Sequence, residues 1–399
     1  MNVNIFILSD NILMGKRACP FMIEQECKKK GFFIEKKVIF PSYCPDLEEV
    51  LKQTQKQINI IVVEKDKARV SETVCNLTQD SIVENEKLKE AVSKYYKFRN
   101  IPITKEAKQE WEVPSKARGI ICEGEKQGYI VKAVNSYYIV LSLDNFDLAI
   151  ESVISSLSQE DSKYIIFKTF GLSLDGLNSL LFEFMRNRDG IKILTFSDGL
   201  DIDIIIKAKA TNDKLDEYAQ NILKKINSFV YAEEDIPIYK VAKKLLNLIN
   251  KTICFAESIT GGNMAGQFIK FNSGASNFLK QSFVVYSDEA KQNILNVTKE
   301  TLVSKSAVSA ECAYEMALGA LEKSGSDIVV ATTGFAEDTQ TRGAGECYIA
   351  IGDRQFIHVY KNVYTGNREQ IINNVSKAGF FYLIKKLRSN DFNFNGNNV

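Results

Sequence analysis

Short apolar runs alternate with stretches of helical periodicity along residues 1–162. The apolar runs predict strands and the stretches between them predict helices. This alternation is typical of a parallel or mixed sheet with helices on both faces. We therefore predict an α/β N-terminal domain. Its expected strands are 4–8, 32–40, 58–63, 118–122 and 137–143, and its expected helices are 19–30 and 47–57.

Residues 163–237 predict a smaller α+β domain which, at about 70 residues, is close to the lower size of an independent core. Its last helix places apolar residues three and four positions apart, so that they share one face. The acidic run before Pro237 is the expected linker to the next domain. The expected strands are 164–167, 191–196 and 201–210, and the expected helices are 174–185 and one that carries Leu215, Tyr218, Ala219, Ile222, Leu223 and Ile226.

Residues 238–388 return to α/β order, with Ser309 as the expected N-cap of one helix. The asparagine-rich end, residues 389–399, is expected to be disordered. The whole chain is thus predicted to be an α/β protein of three domains. In the third domain the expected helices are 239–249, 262–271, 288–296, 309–323 and 367–387, and the expected strands are 252–256, 278–286, 327–332, 346–351 and 355–360.

The run Glu-Ser-Ile-Thr-Gly-Gly at residues 257–262 follows an apolar strand and leads into a helix. A hydroxyl at such a junction is exposed above the edge of the sheet. Two glycines let a ligand approach the backbone, and the helix start offers free N–H groups with a partial positive charge. This pattern indicates a nucleophile beside an anion or oxyanion cradle. A plain glycine-rich turn is the alternative.

Three further motifs follow at separate positions: Tyr-Ser-Asp-Glu-Ala-Lys at 286–291, Thr333-Gly334 after a strand, and Gly-Asn-Arg at 366–368. Together with the first run, they resemble the competence/damage-inducible CinA family over residues 240–388. The resemblance implies a C-terminal amidohydrolase module that deamidates nicotinamide mononucleotide. It also implies a small-molecule nucleotide substrate, no cofactor, no metal and a homodimer.

Hydrolysis of a carboxamide needs a nucleophile, a proton shuttle for the departing ammonia, and donors for the oxyanion. Carried over on the motifs, the resemblance makes Ser258 the nucleophile with Thr260 in reserve, Lys291 the general base, and Tyr286 a proton relay. For Ser258 a helix cap is the alternative, and for Lys291 a solvated helix lysine. Glu257 could hold Lys291 or a ribose hydroxyl. The expected substrate-binding residues are Thr260, Gly261, Gly262, Thr333, Gly334, Arg342 and Arg368.

This chain departs from the family pattern inside the C-terminal module. Ile259 stands where relatives carry cysteine, and residues 335–345 replace a longer Gly-Pro-Gly-Gly loop that ends in Lys-Pro-Val-Gly. Arg342 is the residue that could stand in for that lysine. The competing hypothesis is therefore a catalytically inactive scaffold or regulator linked to competence or DNA damage.

The N-terminal module resembles the molybdopterin-binding-like domain that cleaves ADP-ribose in some members of the family. Here Ser-Asp-Asn at 9–11 replaces Gly-Thr-Glu, the charged run 63–69 replaces a glycine-rich phosphate cradle, and 142–145 replaces Gly-Pro-Pro. A backbone cradle needs glycine where the ligand packs closely. We therefore predict a degenerate domain without ADP-ribose pyrophosphatase activity. Asp66 and Glu72 could bind a metal, but scattered surface acids are the simpler interpretation.

The middle domain resembles the family's KH-like domain. It lacks the Gly-x-x-Gly loop of RNA-binding KH domains, which favours a structural spacer. A formal charge of +1 with no strongly basic segment also disfavours a nucleic-acid partner.

The composition bounds the remaining possibilities. The eight cysteines form no Cys-x-x-Cys pair, so neither a zinc site nor a disulfide framework is predicted, and Cys254 and Cys347 are expected to be small core residues. The start lacks the features of a signal peptide, and no apolar run has membrane-spanning length. A cytoplasmic protein is expected. His358 is the only histidine and is expected to be a packing or edge residue, which favours a lysine base.

Overall fold

The computed structural model describes residues 2–10, 18–30, 32–54, 56–157, 162–186, 190–337 and 343–389. The chain divides into two compact units, Met1–Glu160 and Asp161–Val399. The first boundary lies next to the expected one at residue 162. The further division at residue 237 stays a prediction, and the tail beyond residue 389 lies outside the described residues.

The first unit alternates strands and helices as its apolar pattern predicts. Its strands are β1 (Asn2–Leu8), β2 (Phe33–Phe40), β3 (Ile58–Val63), β4 (Ile82–Glu84), β5 (Glu112–Pro114), β6 (Arg118–Ile120), β7 (Gly128–Lys132) and β8 (Tyr137–Ser142). Its helices are α1 (Ala18–Lys29), α2 (Leu47–Lys52), α3 (Lys67–Thr78), α4 (Glu86–Arg99), α5 (Lys105–Lys108) and α6 (Phe146–Leu157).

The main sheet of this unit has the order β2-β1-β3-β8-β7-β6. Strands β2, β1, β3 and β8 are parallel, and β7 and β6 continue the sheet in antiparallel fashion. The central strand β3 is buried throughout because its alternate side chains enter hydrophobic clusters on opposite faces. The predicted mixed sheet with helices on both faces is confirmed.

One predicted helix in this unit is too long. The expected helix 47–57 ends at Lys52, because the Thr54 hydroxyl donates to the Leu51 carbonyl and Lys56 adopts a left-handed φ of 68°. Helices α3, α4, α5 and α6 and strands β4, β5 and β7 were not predicted. Helix α3 begins after its N-cap Asp66, whose φ of 58° is uncommon for a residue other than glycine.

The second unit contains two sheets. Its strands are β9 (Ser162–Phe170), β10 (Lys192–Asp198), β11 (Asp201–Lys209), β12 (Val230–Ala232), β13 (Ile253–Glu257), β14 (Leu279–Val284), β15 (Ile328–Gly334), β16 (Glu346–Gly352) and β17 (Ile357–Val363). Its helices are α7 (Leu174–Met185), α8 (Leu215–Ile226), α9 (Ile238–Leu248), α10 (Asn263–Phe271), α11 (Asp288–Leu295), α12 (Lys299–Ser304), α13 (Ala310–Ser324) and α14 (Arg368–Arg388).

The larger sheet of this unit has the order β14-β13-β15-β16-β17. Strands β14, β13 and β15 are parallel, so their carboxyl ends lie at the same edge, and β16 and β17 are antiparallel. The smaller sheet is antiparallel, in the order β10-β11-β9-β12. The predicted N-cap is confirmed, since the Ser309 side chain accepts a hydrogen bond from the Cys312 N–H.

Helix α14 joins the two sheets of the second unit. The Lys377 amine lies 3.0 Å from a carboxylate oxygen of Asp198 and 2.8 Å from one of Asp201, both in the β10–β11 hairpin. These carboxylates raise the pKa of Lys377 despite its burial. At the end of the helix, Arg388 donates to the Tyr231 carbonyl at 2.6 Å. The two sheets are therefore held by ion pairing as well as by apolar packing.

Candidate active site

Ser258 lies immediately after β13, between the carboxyl ends of its two parallel neighbours. The Ser258 N–H donates to the Thr332 carbonyl at 2.9 Å, and the Val285 N–H donates to the Glu257 carbonyl at 2.9 Å. The hydroxyls of Thr260 and Thr332 are 2.8 Å apart. Continuous backbone pairing thus brings three of the four predicted motifs to one sheet edge.

The carboxylate of Glu257 caps helix α10. One oxygen accepts hydrogen bonds from the N–H groups of Gly262 and Met264, each at 3.0 Å, and the other accepts from Ala265 at 2.9 Å. Glu257 is fully buried. It therefore bonds neither Lys291 nor a ligand hydroxyl, which were the two sequence-based alternatives. The start of α10, expected as an anion cradle, already holds an anion of the chain itself.

The N–H groups of both glycines are engaged within the chain. Gly261 donates to the Ser258 carbonyl at 3.2 Å and Gly262 donates to Glu257, with φ of 56° and 93° respectively, the left-handed region that favours glycine. They are not the free donors that the sequence predicted. In the described part of the chain, the N–H groups of Ile259 and Thr260 have no acceptor. Oxyanion donors are thus available two residues earlier in the chain than expected.

Lys291 is a buried lysine on the first turns of α11. Its side chain is 2% exposed, and its amine donates to the backbone carbonyl of Tyr286 at 3.1 Å. The carboxylate of Asp288, at 3.9 Å, is largely exposed. Burial lowers the pKa of Lys291, and nearby Cys312, Asp288 and Tyr286 oppose that shift. This environment differs from that of a solvated helix lysine, because desolvation favours the neutral amine that a base requires.

The helix that carries Lys291 packs directly on the backbone of α13. A Cβ atom placed on Gly319 would lie 1.9 Å from the carbonyl oxygen of Leu295, the last residue of α11. No side chain fits in that space. Cys312, on the same helix α13, is also buried, and burial raises the pKa of its thiol to about 12. The thiol is therefore neutral near pH 7 and is a poor rival nucleophile.

Tyr286 and Arg368 meet at the outer side of this edge. Arg368 Nη2 donates to the Tyr286 hydroxyl at 3.1 Å, and Nη1 lies 2.8 Å from a carboxylate oxygen of Glu337. Tyr286 is 63% exposed. Arg368 is held at the start of α14 by a capping box between Asn367 and Gln370. The fourth motif thus joins the other three, and an exposed guanidinium is presented beside the tyrosine.

The other predicted substrate-binding residues lie at the end of β15. The Thr333 hydroxyl donates to the Ala307 carbonyl at 2.7 Å, and Gly334 is paired with Cys347 of β16. The hydroxyl of Thr333 therefore anchors the segment before α13. Arg342 lies outside the described residues.

In the first unit, a carboxylate occupies the corresponding loop after β1. Glu64, which follows β3, accepts hydrogen bonds from the Ser9 hydroxyl at 2.6 Å and from the Asp10 N–H at 3.0 Å. An anionic ligand at this loop would meet a negative charge and an N–H group that is already engaged. This arrangement fits the predicted loss of the phosphate cradle.

The described residues contain no group of three or more His, Cys, Asp or Glu side chains that could hold a metal ion. Asp66 instead caps α3 by accepting a hydrogen bond from the Arg69 N–H. His358 is exposed on the edge strand β17, with its ring 4.4 Å from that of Tyr360. Cys254 and Cys347 are fully buried core residues, as predicted.

Sequence reasoning missed one residue of this site and misassigned another. Glu337 lies in a loop without periodicity, and its contact with Arg368 spans 31 positions. For Glu257, the available signal was its position five to eight residues before the N–H groups that it caps. At that spacing the chain can turn at the two glycines, so that the carboxylate accepts hydrogen bonds from the first N–H groups of the helix.

Comparisons with known proteins agree with these motifs. Residues 236–387 match the family model described as the CinA C-terminal domain. The chain is 26% identical over 333 residues to a protein of Caldicellulosiruptor saccharolyticus named "Putative competence-damage inducible protein", covering 79% of this chain and 80% of that protein. It is 44% identical over 156 residues to a "CinA-like protein" of Chlorobium chlorochromatii, covering 37% and 36% of the two chains.

Among solved structures, a competence-damaged protein (CinA) superfamily protein of Klebsiella pneumoniae is 31% identical to this chain. The match covers 38% of this chain and 98% of that one, with a TM-score of 0.37. Across the described ranges, no helix combines the length and the apolar character needed to cross a membrane.

Proposed function

Because this chain belongs to the CinA family, we propose that its C-terminal module hydrolyses the carboxamide of nicotinamide mononucleotide. The products are nicotinate mononucleotide and ammonia. The observation that carries this proposal is the buried amine of Lys291, whose pKa is lowered by burial at the sheet edge where Ser258 also lies. A desolvated lysine and a serine hydroxyl at one sheet edge are the two groups that acyl chemistry without histidine requires.

In the proposed mechanism the Ser258 hydroxyl attacks the carboxamide carbon, and the neutral Lys291 amine accepts the hydroxyl proton. The C–N bond then breaks, and Lys291 returns that proton to the departing ammonia. An ester remains on Ser258. Water, deprotonated by the same amine, hydrolyses the ester, releases nicotinate mononucleotide and restores the serine.

The negative oxygen of the tetrahedral intermediate needs fixed donors. The N–H groups of Gly261 and Gly262 already donate within the chain. We therefore assign the oxyanion to the N–H groups of Ile259 and Thr260, which follow the nucleophile directly. Glu257 supports them indirectly by fixing the turn between β13 and α10.

The substrate's phosphate needs a cation near the outer side of the site. Arg368 is the proposed partner, since its side chain is 45% exposed and its guanidinium already binds the carboxylate of Glu337. A phosphate accepts hydrogen bonds from the guanidinium in the same manner as a carboxylate and carries more charge. Arg342 remains a second predicted contact for the phosphate. The exposed ring of Tyr286 can then orient the nicotinamide and relay a proton.

Ammonia release from the purified full-length protein with nicotinamide mononucleotide tests the proposal. Replacement of Ser258 by Ala should abolish turnover. Replacement of Thr260 by Ser keeps the hydroxyl that contacts Thr332 and serves as the matched control. If the Ser258→Ala protein retains wild-type turnover while a Thr260→Val protein loses it, Thr260 replaces Ser258 as the nucleophile.

A second candidate function is a catalytically inactive scaffold or regulator. The observation that favours it is the lack of a hydrogen bond to the Ser258 hydroxyl among the described residues, while the Lys291 amine bonds a carbonyl instead. The same assay decides between the two functions. No ammonia release at micromolar concentrations of a correctly folded protein would favour the inactive regulator.

A further inference from the structure

A separate feature of the C-terminal module is the excess of positively charged residues between positions 236 and 287. This stretch contains six lysines and a single acidic residue, Glu257. The acid is fully buried as the cap of α10. The surface contribution of the stretch is therefore entirely cationic, although the whole chain has a net charge of only +1. The lysines are Lys240, Lys243, Lys244, Lys251, Lys270 and Lys280.

Three of these lysines line one cavity. Lys240, Lys243 and Lys244 lie on α9 and face the end of α10 and the turn after it, across a groove of about 500 Å³. This volume lies in the range of small-molecule sites. Asn263, at the start of α10, directly follows the Gly261-Gly262 turn of the candidate active site, and Phe271, at the end of the helix, lines the groove. The helix therefore separates the two by roughly 12 Å. The groove is therefore distinct from the Ser258 site.

The positive charge in this groove is only partly compensated. The Lys243 amine donates to the Ser273 carbonyl at 2.6 Å, a neutral partner that leaves its charge in place. Lys244 forms an ion pair with Glu234, and both side chains are more than half exposed. Lys240 has no acidic partner among the described residues. At least two uncompensated cations thus lie one helical turn apart, a spacing suited to adjacent anionic groups.

The opposite wall of the groove is aromatic. The Phe271 ring stacks on Tyr239, with centroids 5.1 Å apart and an interplanar angle of 17°, which fixes its orientation. The Lys243 amine lies 5.8 Å from the centroid of the Phe278 ring. Buried Asn272 holds the turn through bonds from its amide to the Tyr239 and Phe268 carbonyls. The groove therefore combines fixed apolar rings with cations, a combination that suits a flat ring carrying phosphates.

We propose that this groove binds a nucleoside phosphate with two or more phosphate groups, at a site separate from Ser258. The phosphates contact Lys240, Lys243 and Lys244, and the base packs against Phe271 and Phe278. Binding displaces Glu234 from Lys244, which an exposed ion pair permits at little cost. The proposal does not depend on the deamidase function, because none of these residues belongs to the candidate active site.

Calorimetric titration of the full-length protein with ATP tests this site. The test variant combines Lys240→Gln, Lys243→Gln and Lys244→Gln. The control variant combines Lys299→Gln, Lys305→Gln and Lys323→Gln. It removes the same charge from α12, its C-cap and α13, and it also breaks one exposed ion pair, that of Lys305 with Glu311. We expect at least tenfold weaker binding for the test variant and wild-type binding for the control. Circular dichroism and thermal melting verify that both variants fold.

Three results would overturn the proposal. The first is no heat of binding for ATP at millimolar concentration. The second is equal weakening in both triple variants, which would indicate diffuse charge rather than a site. The third is binding of sodium tripolyphosphate as tight as that of ATP, because the base would then contribute nothing. A twelve-nucleotide oligothymidylate serves as a further competitor. If it binds more than tenfold tighter than ATP and requires the same three lysines, the groove is a nucleic-acid surface instead.

Discussion

The Lys291 amine donates a hydrogen bond to the backbone carbonyl of Tyr286 at 3.1 Å, from a side chain that is 2% exposed. This contact orients the amine through a neutral acceptor, and the carboxylate of Asp288, at 3.9 Å, is largely exposed. A carboxylate in the same place would hold the lysine in its charged form. A carbonyl allows burial to dominate, and the pKa of Lys291 is accordingly lowered.

Replacement of Lys291 by Arg should reduce turnover by roughly 100-fold or more, because a guanidinium keeps the charge but cannot act as a base. Ammonia release measures the loss, and nucleotide binding should be retained. Turnover close to wild type in the Arg variant would remove Lys291 from the mechanism. Tyr286 would then be the remaining proton shuttle in these motifs.

The pH dependence of activity should follow the same amine. As the pH rises through the folded pKa of Lys291, which lies below its ordinary value of 10.5, kcat/KM should rise because more of the base is neutral. The Lys291→Met variant should show no such rise above its residual rate. A wild-type profile that stays flat across this window would contradict the assignment.

The stability of the protein should titrate with that amine as well. Because the folded pKa is lowered, the unfolded state binds more protons between the folded pKa and 10.5, so wild-type stability gains with rising pH in that window. Below the folded pKa the cost of burying the charge is fully present. The Lys291→Met variant should therefore exceed the wild type in Tm most clearly at lower pH, and the difference should shrink as the pH rises. Thermal melts at several pH values measure this difference.

Glu337 should compete with the substrate phosphate for Arg368. Its replacement by Gln should lower KM for nicotinamide mononucleotide by about two- to fivefold without changing kcat, which corresponds to an exposed ion pair of up to about 1 kcal/mol. Glu311→Gln, which breaks the exposed ion pair with Lys305, is the matched control. An unchanged KM in the Glu337 variant would mean that the phosphate does not use Arg368.

Replacement of Glu257 by Gln should destabilise the second unit by about 2–3 kcal/mol, because three backbone N–H groups at the start of α10 lose a buried carboxylate acceptor. Urea unfolding measures the change. The fall in activity should accompany the fall in stability. If stability is unchanged while activity is lost, the carboxylate acts on the substrate rather than on the helix.

The N-terminal unit should not hydrolyse ADP-ribose. The carboxylate of Glu64 already accepts the hydrogen bond from the Asp10 N–H, and its charge would repel a phosphate at the loop after β1. The measurement is AMP formation in the presence of a divalent metal. AMP formation by the full-length protein that disappears on removal of residues 1–160 would contradict this prediction.

The sequence predicted the architecture well where burial is periodic. Helix α7 has the predicted bounds, and helix α8 contains the six predicted apolar positions, four of which are buried. Strands β13 and β15 are buried on both faces, so each was visible as a continuous apolar run. Helix α3 is one of four helices in the first unit that were not predicted from the sequence. Its first residues are charged, and its buried contacts, such as that of Lys67 with Glu110, come from distant segments.

The sequence predicted where the candidate site lies in the fold, but not which of its groups contact one another. The carboxyl ends of parallel strands must meet at one edge, so Ser258, Lys291 and Thr333 could be assigned to the same region. Which N–H groups remain free depends on where the Glu257 carboxylate lies, and no pattern along the chain specifies that. The contact between Glu337 and Arg368 likewise depends on two segments that meet only in the folded chain.

Because Gly319 has no side chain, helices α11 and α13 can touch, and this affects the outcome of any screen of random variants. Even alanine at this position would force the Leu295 carbonyl, and with it the end of α11, away from α13. The helix that would have to move carries Lys291. A survey scored by ammonia release would therefore list Gly319 among the residues essential for activity. Only a parallel measurement of folding would reveal that this glycine acts by allowing two backbones to touch.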